Sequence, residues 1–202
     1  MNPNHNNNNQ YPIDYLNQIA PQQKRPGASN KLLVVVAVVG VIMAFVVGLM
    51  MALGGSGPKE DMQRLAARMQ SLQTISEESQ ENIKSSALRG INSNLNIFLS
   101  SAHHGIAEPL SNNGLDIAKI DKTIAAEENG AELKATLEDA RLNAVYDNTY
   151  AREMSFQLAT ITALMEQIYE TTDSASMQEF LVHTDENLQP IKKQLDEFNS
   201  TD

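Results

Sequence analysis

Leu32 to Leu53 is a run of 22 residues with no charged or strongly polar side chain, and nothing else in the chain constrains its folding as tightly. A bilayer core of roughly 30 Å needs about 20 apolar residues at about 1.5 Å each, so this run is long enough to span one. A secretory signal peptide would carry an apolar region of only about 7–15 residues directly behind a short basic start. Here the run is longer and a polar stretch of 31 residues precedes it. A helix buried in a soluble core would be interrupted by a polar stripe, and this one is not. The expectation is an uncleaved transmembrane helix over 32–53, with the lipid bilayer as its partner. Ala52-Leu53-Gly54 also fits a small-x-small cleavage pattern, which keeps release of the downstream part as an alternative.

Cations flank the run on both sides. Lys24, Arg25 and Lys31 precede it, while Lys59, Arg64 and Arg68 follow within about 15 residues, the range that sets orientation. The count is a tie, but Lys31 abuts the run and the downstream cations begin six residues out. Long C-terminal domains also translocate largely regardless of their charge. The sequence therefore predicts a cytoplasmic-membrane protein with its N-terminus inside and its C-terminal domain outside. Within the run, Gly40, Ala44, Gly48 and Ala52 recur every four residues, which lines small side chains along one helix face. Such a face lets a second backbone approach closely, so it is a candidate for homodimerisation or for pairing with another membrane helix. Chance also produces such stripes, since Gly and Ala are common in spans.

Residues 1–31 hold the run Asn6 to Asn9 and prolines at 3, 12, 21 and 26, and lack the apolar clusters that would offset chain entropy. They are expected to form a disordered cytoplasmic tail. In Tyr11-Pro12-Ile13-Asp14-Tyr15-Leu16-Asn17-Gln18-Ile19-Ala20-Pro21, Tyr15, Leu16 and Ile19 would share a face on helix formation, which suits a short docking motif or a membrane-surface contact, the plainer alternative being an unstructured leader. This string resembles tails of uncharacterised single-pass membrane proteins of Saccharibacteria-type bacteria, which implies a bacterial inner-membrane setting and no function. Residues 54–58 read as a flexible Gly/Ser linker, with Pro58 suited to the first turn of the next helix.

The remaining 59–202 reads as an acidic α-helical domain. The tail's Lys24, Arg25 and Lys31 against Asp14 make +2, so the chain's formal −10 leaves −12 beyond it. That balance excludes a generic nucleic-acid binder, which needs a basic face to neutralise phosphates. No cysteine is present, which excludes disulfides, thiolate metal sites, cysteine nucleophiles and a lipid-modified cysteine. Aromatics make up 5%, and alternating strand-like runs are missing.

Four apolar seams at helical spacing suggest an all-α domain, an up-down four-helix bundle with short connections. They are Leu88, Ile91, Leu95, Phe98, Ala102; then Ile117 to Ala144; then Met154, Leu158, Ile161, Met165, Ile168; and last Leu181, Leu188, Ile191, Leu195, Phe198, with Thr184 at the one polar position. Coiled-coil trimers or rods are the competing architecture. Residues 59–86 read as a stalk-like first helix, or one with a solvated outer face. A continuous helix from Lys59 to His103 would reach roughly 65 Å. Pro190 is expected to kink or break the last helix. Asp147 is a plausible N-cap, and Ser176-Met177-Gln178-Glu179 reads as a capping box.

Chemistry is sparse. No P-loop, dinucleotide-binding glycine pattern, H-E-x-x-H or G-x-S-x-G motif is present. His104 with Glu108, and Glu179 with His183, are two imidazole–carboxylate pairs four residues apart and the best metal candidates, provided their helices face each other. The plainer alternative is surface polar residues at helix ends. No catalytic residue and no cofactor is predicted.

Tyr146-Asp147-x-x-Tyr150, Met154 and the Leu188 to Leu195 helix are similar in layout to the last two helices of the ferritin-like DUF4142 bundles. The resemblance covers about fifty residues and implies a bundle. Gln157 and Gln194 stand where that family tends to place His, which weakens the implied metal role, an amide being a poor ligand beside imidazole. The leading expectation is a non-enzymatic, membrane-anchored protein displaying a helical interaction domain to an unknown protein partner. The rival is a ferritin-like metal or small-ligand binder on the same anchor.

Overall fold

The computed structural model describes residues 57–200. The apolar run 32–53, its small-residue face Gly40, Ala44, Gly48 and Ala52, and the N-terminal tail lie outside the described residues. Among those described, the chain is all-α, with no strand, and no helix is long and apolar enough to cross a membrane.

Four long helices form the bundle: α1 (Pro58–Ser79), α2 (Ser86–Gly105), and, after a crossover, α6 (Tyr146–Thr171) and α7 (Ala175–Ser200). The crossover carries α3 (Ala107–Asn112), a 3-10 turn (Ile117–Lys119), α4 (Lys122–Glu127) and α5 (Ala131–Leu142). Hydrogen bonds between helices fix the directions. Asn92, early in α2, bonds Ser76 near the end of α1 and Tyr150 at the start of α6. Gln167, late in α6, donates to Asp61 in the first turn of α1. Ser155, early in α6, donates to Asp196, late in α7. Each long helix therefore packs antiparallel to two neighbours, in the ring order α1, α2, α7, α6.

This corrects the expected topology. Up-down hairpins with short loops would place α2 beside α6, whereas these two lie across the bundle and run parallel. A connection of some forty residues returns the chain from the end of α2 to the start of α6. It climbs the outside of α1: Asp121 N–H bonds Gln63 Oε1, Glu128 meets Arg64 and Arg68, and Lys134 reaches Glu78. The seam from Ile117 to Ala144 belongs to this crossover, with Ile124, Leu133, Leu137 and Ala140 buried. The fourth bundle helix is instead the segment expected to be a stalk or a helix with a solvated outer face, and of these two it takes the second form, with Gln70, Thr74, Glu77 and Glu78 exposed.

Met62, Leu65, Met69, Leu72 and Ile75 of α1 are all buried, because neighbours cover the stripe along the whole helix. The helix stops at Ser79, and a turn over 80–85 buries Ile83, so no continuous rod runs to His103. Pro58 sits at the start of α1, with Glu60 and Asp61 in its first turn, where carboxylates complement the helix dipole.

Three local expectations also change. Of the kink or break expected at Pro190, the break does not occur: one helix continues past it, with Leu188, Ile191 and Leu195 buried on both sides and Pro190 itself facing solvent. The cap of α7 lies two residues before the expected box, where Ser174 Oγ accepts from Met177 N–H. Asp147 does not cap its own helix. Its carboxylate accepts from the amides of Lys84 and Ser85, at 3.0 and 2.7 Å, and closes the α1–α2 turn against α6.

Glycine is required at one crossover position. Gly130 has φ of +70°, and a Cβ there would lie 2.6 Å from Ile75 Cδ1 and 2.7 Å from Ser71 Oγ. The absent side chain lets α5 start against α1.

Candidate functional site

Side-chain chemistry collects in three places. The first is a buried polar knot joining α1, α2 and α6. Asn92 is 1% exposed; its Oδ1 accepts from Ser76 Oγ at 2.7 Å and from the Tyr150 hydroxyl, and its Nδ2 donates to the Ser76 carbonyl at 3.0 Å. That carbonyl is one of the last four of α1, which no helical amide can reach. Burial raises the proton affinity of the Tyr150 phenol and keeps it a neutral donor. Every group has a partner, so the knot fixes helix register and leaves no nucleophile exposed.

The second lies where the crossover meets α1. Glu128, 8% exposed, accepts from Arg64 Nη1 at 2.8 Å and from Arg68 Nε at 2.6 Å, while Arg64 also reaches Glu60 and Glu127. Burial alone would lower the proton affinity of Arg64, but the hydrogen bonds to Glu128 and Glu127 outweigh it and raise it. Beside these pairs is an open cleft of about 410 Å³, lined by Arg68, Ser71, Gln157 and the first residues of α5. Arg68 Nη1 and Ser71 Oγ are buried there without a hydrogen-bond partner among the described residues. The arginines are matched by more carboxylates than they can neutralise, so the cleft does not concentrate anions.

The third is the seam between α6 and α7. Thr162, Met165, Glu166 and Tyr169 face Leu181, Val182, Asp185 and Glu186 across a hollow of about 390 Å³. A neighbouring hollow of about 310 Å³ shares Tyr169, Val182 and Glu186 and adds Gln178, Glu179 and His183. Tyr169 and Val182, which line both hollows, are 45% and 47% exposed. Gln178 donates to the carbonyls of Tyr169 and Thr172 and ties the two helices at the groove's end.

The metal candidates are placed as follows. His104, Glu108, Glu179 and His183 are all exposed. His104 Nδ1 pairs with the Ser100 carbonyl of its own helix, and His183 with Asn187. Glu179 and His183 line the smaller hollow, and neither His104 nor Glu108 does. Among the described residues, no group of three or more His, Asp or Glu side chains is placed to hold a metal ion. Gln157 lines the cleft beside α5 and Gln194 faces solvent.

Asn92 escaped the sequence reading because the buried seam of α2 is Leu88, Asn92, Leu95, Leu99, Ala102. Taking Ile91 and Phe98, both only partly buried, as seam members steps over it. The 4, 3, 4, 3 spacing through Asn92 was the available signal. For Glu128 and the α6–α7 groove no local signal exists, since both depend on which helices become neighbours. No protein-family model matches the chain, and comparison with curated proteins and with solved structures yields no match either.

Proposed function

We propose that the protein is a non-enzymatic, single-pass membrane protein that displays an acidic helical-bundle interaction domain outside the cytoplasmic membrane. The observation that carries this reading is the apolar run Leu32–Leu53 placed directly before a helical bundle that has no span-like helix of its own. The run anchors, the Asn-rich tail stays inside, and the bundle is held out as an interaction module. Lys31 beside the run supports this orientation. The stripe Gly40, Ala44, Gly48, Ala52 offers a place for a second membrane helix.

One observation favours a ferritin-like architecture: two antiparallel helix pairs joined by one long crossover, the connectivity of those bundles. The associated metal role has weaker support. The site in such bundles is built from inward Glu and His side chains, whereas here the buried knot is amide, hydroxyl and phenol, and the buried carboxylates Asp61 and Glu128 are engaged by Gln167 and by Arg64 and Arg68.

The deciding experiment is protease accessibility on intact cells and on spheroplasts expressing the full chain, with separate tags at Met1 and Asp202. Loss of the C-terminal tag alone, leaving a membrane-bound remnant, is the expected result. Loss of the N-terminal tag alone would overturn the reading and make the bundle cytoplasmic.

A further inference from the structure

The groove between α6 and α7 has an apolar floor and an acidic rim. Its floor is apolar: Met165 and Leu181 are buried at its base, and Tyr169 and Val182 stand half exposed above them. Its rim is acidic, with Glu166, Glu179, Asp185 and Glu186 around the two adjoining hollows. No Lys or Arg lines either hollow, and His183 is the one basic-type side chain there. The lysines of the same helix, Lys192 and Lys193, are engaged with Asp196 and Glu197 one turn further on. Four like charges gathered around an exposed apolar strip repel one another until a cation arrives.

We propose that this groove docks a basic amphipathic helix of a partner protein, with its apolar face on Tyr169 and Val182 and its Lys or Arg residues on the carboxylate rim. The proposal names the partner class for the interaction domain and so rests on the preceding reading of the bundle as an interaction module. Charge selects this occupant over the alternatives. A second copy would bring a second acidic rim against the first, and an anionic lipid surface would be repelled for the same reason. Length fits as well. The lining residues run from Thr162 to Tyr169 and from Gln178 to Glu186, about 10–12 Å along each helix, which accommodates about two turns of a docked helix. A ligand of that length offers anchors at i, i+3 or i+4, and i+7.

The test uses the full chain in phosphatidylcholine nanodiscs and a fluorescent synthetic peptide with Lys on one helical face and Leu on the other. Binding is read by anisotropy against empty nanodiscs. The triple variant Glu166→Gln, Glu179→Gln, Glu186→Gln is expected to weaken binding about tenfold, the combined effect of three exposed ion pairs. Removing three carboxylates elsewhere, by Glu77→Gln, Glu81→Gln and Glu132→Gln, should change it less than about twofold, distant exposed charges being screened. Val182→Asn, which removes the apolar contact without adding charge, should weaken binding while helicity by circular dichroism is kept. Equal losses from the two triples would reduce the effect to general acidity and overturn the proposal. So would equally tight binding of a Glu/Leu peptide, or no binding beyond empty nanodiscs. The topology experiment is independent: groove binding with an inverted topology would move the partner to the cytoplasm and overturn only the display reading. The correct topology without peptide binding would overturn only the groove.

Discussion

Replacing Asn92 with alanine tests whether the polar knot, rather than apolar packing alone, holds three helices in register. The substitution removes the donor to the Ser76 carbonyl, and the acceptor for both the Ser76 and Tyr150 hydroxyls. A buried carbonyl left without a partner costs about 1–3 kcal/mol. The two hydroxyls can turn to each other, so together they lose only about 1 kcal/mol. Alanine's better helix propensity returns about 0.5 kcal/mol. The expected cost is therefore about 1.5–3.5 kcal/mol, a large share of the roughly 5–15 kcal/mol that stabilises a typical domain. It corresponds to a Tm lower by roughly 5–12 °C.

The assay is denaturant unfolding of the full chain in detergent, followed by far-ultraviolet circular dichroism, with Asn94→Ala as the control. Asn94 is exposed on the same helix, and its replacement should change stability by less than about 0.5 kcal/mol. Tyr150→Phe alone should cost about 1 kcal/mol, and the double variant should cost less than the sum by about 1 kcal/mol, because one bond is counted in both singles. Additive effects, or an Asn92→Ala cost no larger than that of Asn94→Ala, would refute the reasoning.

Four further outcomes follow from other sites. Gly130→Ala should destabilise by about 2–3 kcal/mol, combining a positive φ with a Cβ forced onto Ile75 and Ser71. Gly114→Ala, also at positive φ but with its nearest atom 3.7 Å away, should cost only about 1 kcal/mol in the same melts. Asp147→Ala should cost about 1–2 kcal/mol by leaving the Lys84 and Ser85 amides without their acceptor, and faster hydrogen exchange at those amides should accompany it. His103 has its pKa lowered from 6.5 by burial and by its neighbour His104, so the unfolded chain binds its proton more readily than the folded one. Its contribution is fully present above pH 6.5 and lost as pH falls from there through the lowered folded value; His103→Gln should flatten that part of the stability–pH curve.

Much of the helical character and several boundaries could be read from the residues. Met154 to Ile168 repeats at 4, 3, 4, 3, and that seam is buried in the bundle as its spacing demands. Asn129-Gly130 reads as an interruption, since few other residues tolerate a left-handed backbone, and the polar run Thr171 to Ser174 reads as the join between the last two helical regions; a left-handed Gly130 and a helix break after Thr171 are what the structure holds there. These are local properties, set by a residue and its near neighbours in the chain. Which helices became partners was not local. Met62 to Ile75 looks like half a stripe until α2 and α6 cover it, and Asn92 looks like a surface amide until Ser76 and Tyr150 arrive from 16 and 58 residues away. Pro190 reads as a break until the buried residues on either side hold the helix through it. Asp147 reads as a cap for its own helix, and it became one for a turn some sixty residues earlier. Burial, pairing of polar groups and the long crossover all depend on contacts between distant segments. A one-dimensional pattern records the face a helix must bury, and only the packed structure decides what buries it.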